Sequence, residues 1–294
     1  MPKSKVYFTR VIDSESPLKL YKALGIELSG SILAKVHSGE EGNQNYLHPD
    51  FWLPIIRHLG ATVVECNTAY EGSRNTSVKH IELLKKHGWI NNDFPFDLMD
   101  EEGPDDVLEI PFKGHLDGKD YVGKHLKNYD SAIVLSHFKG HPMGGYGGAL
   151  KQLSIGFASS YGKEHIHAGG NRDHSDMWNT EQLRFLESMA EAALGLHKHF
   201  EGRIAYINAM VNLSVDCDCC AVAEDPCMAD IGILASLDPV ALDKACIDLV
   251  KKSKDKGREH FLARVNRQQG EHTYLYATKL GVGQLDYELI DLDK

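Results

Sequence analysis

The sequence predicts an α/β protein: a layered, mainly parallel sheet flanked by helices, with an extra β-hairpin. Three observations carry this. Short apolar runs rich in Val, Ile and Ala alternate with amphipathic segments along the chain. The runs are bounded by turn residues or Asp, as buried strands are. The 294 residues are 42% hydrophobic, enough for one large core or two lobes. No repeat, low-complexity linker or sharp boundary divides the chain. Residues 1–294 are therefore read as a single α/β domain, with two lobes if a cleft forms between 137–167 and 216–227.

Six runs are expected as strands: VYFTRVI (6–12), SILAKVH (31–37), ATVVECN (61–67), SAIVLS (131–136), RIAYINA (203–209) and DIGILAS (230–236). Helices fall between them. HPDFWLPIIRHLG (48–60) ends in a glycine stop. NTEQLRFLESMAEAALGLHKHF (179–200) opens with Asn179 and has Gln182 three residues on, like a capping box. DPVALDKACIDLVKK (238–252) has Asp238 as a cap and Pro239 at the first helical position. VLEIPF (107–112) and DYVGKHL (120–126) form the extra hairpin. The acidic run DLMDEEGPDD (97–106) reads as a solvated loop.

Composition excludes several classes. A formal net charge of −10 argues against nucleic acid as a partner. No run of about eighteen apolar residues exists, so no membrane partner is expected. The start, MPKSKVYFTRVIDSE, carries no signal-peptide pattern. The six cysteines do not form a disulfide framework, since three fall within four residues. A reducing, cytoplasmic compartment is the expectation.

Chemistry concentrates in SHFKGHPMGGYGGALKQLSIGFASSYGKEHIHAGG (136–170). The stretch follows the carboxyl end of a buried strand, where open α/β sheets bind ligands. Gly144, Gly145, Gly147 and Gly148 would let backbone N–H groups approach an anion. Lys151 would add a charge or a nucleophilic amine. Walker and dinucleotide fingerprints are absent. His137 and His141 supply near-neutral imidazoles. Lys163 reads as a bystander. His165 and His167 would face one side of a strand, as a metal pair needs, and would be surface residues in a loop.

A second stretch, DCDCCAVAEDPCMAD (216–230), fits neither zinc nor ferredoxin spacing. Its thiols, Cys217, Cys219, Cys220 and Cys227, still favour soft-metal or redox chemistry over packing. Cys66 and Cys246 read as core. Arg74, in AYEGSRNTSVKH, reads evenly as a carboxylate or phosphate contact and as a surface residue.

SHFKGHPMGGYGGALKQLSIGFASSYGK and DCDCC…DIGILASLDPVALDKACIDLV resemble the family catalogued as domain of unknown function 362. NTAYEGSRNTSVKHIELLKKHGW resembles that family's N-terminal region, so the likeness spans nearly the whole chain. Members are often named iron–sulfur centre proteins, which implies a cluster. Many relatives carry a ferredoxin-like insert after the segment matching SSYGK. This chain has no cysteine there, so no ferredoxin-type cluster pair is expected. Cys217 and Cys219 match the family's D-C-D-C motif. Gly145, Tyr146, Gly148 and Lys151 are also similar to the nickel-pincer lactate racemase family, although Gly147 and Ala149 depart from its pattern. His141 and His167 fall in the racemases' order around Lys151. That resemblance implies Lys151 as the tether of a pincer nucleotide, His167 as a nickel ligand and His141 as an acid or base.

The resulting expectation is a cytosolic enzyme with a metal (Ni, Fe or Zn) or nucleotide-type cofactor, racemase-like or redox, acting on a small anionic metabolite. His141, Lys151 and Arg74 are its candidate catalytic residues. Gly144, Gly145, Gly147, Gly148, Lys151 and His137 would bind cofactor. His167, His165, Cys217, Cys219, Cys220 and Cys227 are candidate metal donors. The alternative is a non-catalytic metal or iron–sulfur carrier using the Cys217–Cys227 loop. Oligomeric state stays open.

Overall fold

A computed structural model describes residues 2–114, 118–171 and 173–294. The chain begins β1 (Ser4–Thr9), α1 (Ser16–Leu24), β2 (Ile32–Lys35), α2 (Pro49–Leu59), β3 (Thr62–Glu65), α3 (Ser77–Lys86) and β4 (Phe96–Leu98). A hairpin follows, β5 (Val107–Pro111) with β6 (Lys119–Gly123), then β7 (Ser131–His137), β8 (Lys139–His141) and β9 (Gly145–Gly147). Next come α4 (Ala149–Lys151), which runs into a π-helical turn at Gln152–Gly156, and α5 (Ser160–His167). The chain ends with α6 (Gln182–His199), β10 (Ile204–Met210), β11 (Gly232–Ser236), α7 (Pro239–Lys252), α8 (Arg258–Arg267), α9 (Glu271–Leu280) and β12 (Tyr287–Asp291).

Eight strands form one sheet in the order β12-β1-β11-β10-β7-β2-β3-β4. Every pairing is parallel except the two that β11 makes, with β1 and with β10. Helices cover both faces, which is why the central strands read as unbroken apolar runs. Along β7, Ala132 and Val134 face a core that includes α6, α7 and α9, while Ile133 and Leu135 face one that includes α1 and α2. No described helix is long and apolar enough to cross a membrane.

The six expected strands and three expected helices are all present, as is the β5–β6 hairpin, which pairs antiparallel outside the main sheet. Asp238 caps α7 by accepting from the N–H groups of Val240 and Ala241. Other readings need correction. The cap of α6 is Glu181, which accepts from Leu183 and Arg184 N–H. Gln182 instead donates to the carbonyls of Met143 and Gln268, so there is no Asn179–Gln182 box. The acidic run is not all solvated: Phe96–Leu98 is an edge strand, and Asp100 is buried, accepting from Asn67 and Ser160 N–H. The glycine-rich stretch is a small hairpin, β8 paired with β9. The histidines of EHIH lie on helix α5, where residues two apart point to different sides.

Candidate functional site

Parallel strands that end together leave a crevice beyond their carboxyl ends. Here β2 ends at Lys35 with His37 beyond it, β3 ends at Glu65 with Cys66 beyond it, and β7 leads into β8. A cleft opens at these ends, with about 530 Å³ of empty space counted out to its mouth. His37, Arg74, His141, Lys151, Lys163 and His167 all reach it, and Cys219 and Cys66 also line it.

The cleft's charges are mostly paired. Lys35 Nζ lies 2.7 Å from Glu65 Oε2, and both side chains are buried. Burial would raise the Glu65 carboxyl, but Lys35 and its other cationic neighbours hold it well below the usual range. Arg74 is buried, with Nε 3.1 Å from Glu40 Oε2, and Nη2 donates to the Tyr70 hydroxyl. Lys139 Nζ lies 2.8 Å from Asp218 Oδ2, and His137 Nδ1 is 2.9 Å from Asp218 Oδ1. Those two neighbours outweigh burial and keep the Asp218 carboxyl well below its ordinary value.

Two lysines lack such a partner. Among the described residues Lys163 Nζ donates to the Ala158 carbonyl alone, and burial lowers its pKa. Lys151 has no hydrogen-bond or ion-pair partner among the described residues. Asp100 and Glu65 lie near enough to Lys163 to favour its charged form, so Lys151 is the cation left without a counter-charge among the described residues of the cleft. Lys163, expected as a bystander, is part of the wall.

Backbone groups fix the tautomers of two histidines. His141 Nδ1 accepts from the N–H groups of Met143 (3.1 Å) and Gly144 (2.8 Å), so the ring proton sits on Nε2. Nε2 faces Cys219 Sγ at 3.7 Å. His167 is the reverse: Nδ1 donates to the Lys163 carbonyl at 2.7 Å, which leaves a lone pair on Nε2. Its ring stacks on Phe185 and meets the edge of Trp178. Burial lowers both histidines to about 4, so both are neutral at pH 7. One cleft thus receives an N–H donor and a bare nitrogen.

The donors close enough to share an ion, among the described residues, are His141, Cys217 and Cys219, whose ligand atoms lie within 4.8 Å of one another. The tautomer of His141 opposes that use, because a ligating Nε2 needs the proton on Nδ1, where two N–H groups already point. A four-thiolate cluster fits no better. Cys220 is part-buried and outside that group, and Cys227 Sγ donates to the Leu213 carbonyl.

The remaining expected residues scatter. His165 turns to His174, with 3.3 Å between ring nitrogens, and lines a separate small void. His137 has both ring nitrogens engaged, by Asp218 and the Val211 carbonyl. Gly144 and Gly145 do not line the cleft; Gly145 packs on Gly270. Gly147 and Gly148 line a void behind Lys151. Beyond them, the N–H groups of Ala149 and Leu150 are taken by the Asp243 carboxylate at 2.7 and 3.0 Å. Cys66 and Cys246 are buried, as expected. Sequence reasoning missed His37, Lys35, Glu65, Asp218 and Asp243. Only Asp218 had a signal, its place between the two cysteines of D-C-D-C.

These features define a class: an open α/β protein with a buried, electropositive cleft at the carboxyl ends of its strands. The chain belongs to the family described as a domain of unknown function, DUF362, whose model matches residues 32–248. No curated protein matches it. Among solved structures it is similar to the lactate racemase apoprotein from Thermoanaerobacterium thermosaccharolyticum, at 14% identity and a TM-score of 0.43, covering 71% of this chain and 52% of that one. It is also similar to a structural-genomics protein from Thermotoga maritima, at 11% identity and a TM-score of 0.46, covering 90% of this chain and 58% of that one. The chain thus spans little more than half the length of either.

Proposed function

We propose that this protein is a cofactor-dependent enzyme that binds a small anionic metabolite in the cleft. The observation that carries the reading is the charge imbalance. Glu65, in the cleft wall, and Glu40 and Asp218, behind it, are each matched by a cation, while Lys151 enters the cleft with no hydrogen-bond or ion-pair partner among the described residues. An anion entering there gains from low dielectric and loses no competing partner. Lys151 is its anchor. His141 offers Nε2–H to a ligand oxygen, and Arg74, already bonded to Glu40 and Tyr70, adds to the positive potential.

A lysine-held, histidine-ligated cofactor suits the same residues. Lys151 has an unengaged amine, and His167 presents an unprotonated Nε2 to the cleft. When bound, such a group would supply an electrophilic centre. The rest of the site would orient the substrate and exclude water from it. The carrier reading rests on Cys217 and Cys219 and is disfavoured by the His141 tautomer.

The test is thermal denaturation with inorganic phosphate and small carboxylates at constant ionic strength. A ligand at a hundred times its Kd stabilises the folded state by about 2.7 kcal/mol. Wild type should gain melting temperature; Lys151→Ala should not, and Lys151→Arg should gain less, since a planar fork does not replace a compact ammonium. Equal shifts in wild type and Lys151→Ala would remove the reading.

A further inference from the structure

Beside Lys151 the cleft continues into a small void, with about 210 Å³ of empty space counted out to its mouth. His37, Lys151 and Gln152 line both spaces, so the void adjoins the cleft across these side chains. Its other walls include Ser136, Gly147 and Gly148. Two side chains there are orphaned. Ser136 is 2% exposed and Gln152 is 7% exposed, yet Ser136 Oγ and Gln152 Nε2 have no hydrogen-bond partner among the described residues. Buried polar atoms are almost always satisfied, so two orphans on one void mark a missing partner. The remaining polar walls are committed: Asp218 holds both Lys139 and His137, and His37 accepts from Gly39 N–H on Nδ1 and is hydrogen-bonded to Cys217. What stays free is a hydroxyl, an amide N–H₂ and the Lys151 ammonium. Those are donors, and they suit an oxygen that bears negative charge.

We infer that this void is an oxyanion pocket, which receives one oxygen of a carboxylate or phosphoryl group on the ligand held in the cleft. The inference rests on the proposed reading of the cleft and goes beyond it, because it assigns the anionic end of the ligand to Ser136 and Gln152. It also differs from a glycine cradle, in which backbone N–H groups would do the binding.

Isothermal titration at fixed ionic strength tests it, with inorganic phosphate and acetate as separate probes. The proteins are wild type, Ser136→Ala, Gln152→Met, Lys151→Ala and, as a surface control, Lys79→Ala. Gln152→Glu, which keeps the size and adds a like charge, serves if Gln152→Met does not fold. At least one probe should bind wild type and the control equally. A hydrogen bond to a charged group is worth about tenfold in affinity. Kd should therefore rise about tenfold in Ser136→Ala and in Gln152→Met, and further in Lys151→Ala; Gln152→Glu should abolish binding. The tighter probe tells carboxylate from phosphoryl. If Ser136→Ala and the Gln152 variants bind like wild type while Lys151→Ala does not, the void holds a structural water only; the inference fails and the cleft reading stands. If neither probe binds wild type, or Lys151→Ala binds equally well, both fail together.

Discussion

Lys151 and Lys163 look alike in sequence and differ in what surrounds them. Lys151 lies against the void with its amine unengaged, whereas Lys163 is buried and spends its amine on the Ala158 carbonyl. Lys163→Ala should lower stability by about 1–3 kcal/mol, because it orphans that carbonyl and leaves a gap. Lys163→Met, which keeps the volume, should cost less. Urea midpoints at unchanged slope check both, and a Lys163→Ala midpoint equal to wild type would mean the side chain is dispensable. At this scale the sequence was partly legible. Residue type picked out Lys151, His141 and His167. It could not tell which nitrogen of each ring carries the proton, since that depends on the backbone N–H of Met143 and Gly144 and the carbonyl of Lys163. Nor could it separate His165 from His167, because their divergence needs the helix.

Elements were legible where local chemistry decides them and not where tertiary partners do. Asp238 with Pro239 predicted the start of α7 correctly, since cap and cap-acceptor are neighbours in sequence. The glycine-rich stretch reads as a loop in sequence, and neither its β8–β9 pairing nor the distant carboxylate behind it is written in the local pattern. The first two N–H groups of α4 are held by Asp243, on α7, which also accepts from Asn208 and Tyr146. Only a residue without a side chain fits at Gly148, where a Cβ would stand 2.5 Å from Asp243 Oδ1. Asp243 thus sets the position of Lys151 from behind. Asp243→Asn keeps the shape but offers a single oxygen to several donors. It should cost about 1–3 kcal/mol by urea denaturation. It should also weaken phosphate or acetate binding, although the residue touches neither cleft nor void. Unchanged probe affinity in a destabilised Asp243→Asn would leave it a purely structural clamp.

The whole molecule should be sensitive to acid in a defined window. Burial lowers His37, His141 and His167 to about 4 and His80 to about 3. Each favours the folded state above its unfolded pKa, near 6.5, and loses that contribution as pH falls toward its folded value. Three buried carboxyls oppose this: Asp243, pushed up to about 6, Asp120, up to about 8, and Asp100, raised by burial, all relieve a penalty as they protonate. Between about pH 6 and 4 these four histidines, joined by His87, His197 and His199, which burial also lowers, outnumber the three carboxyls. Unfolding should then take up protons, and stability should fall as the pH drops through this range. Melting temperature across that range checks the sign; a flat or rising profile on acidification would mean the histidines are charged in the fold. The architecture itself was the most legible level, because a sheet covered on both faces writes its strands as continuous apolar runs. The reversed direction of β11 was not, since β11 reads as apolar whichever way it runs.

One packing contact bears on how the protein is made. The turn that carries His141 toward the thiols has its floor at Gly270: a Cβ on Gly145, itself at φ +78°, would stand 2.9 Å from the Gly270 Cα. A chain growing on the ribosome exposes the glycine hairpin long before that floor exists, and Asp243 arrives only shortly ahead of it. The cleft is therefore a late product of synthesis, completed by residues that do not line it. Translation halted before residue 270 would release a polypeptide that has every cleft-lining side chain and no fixed place to hold them.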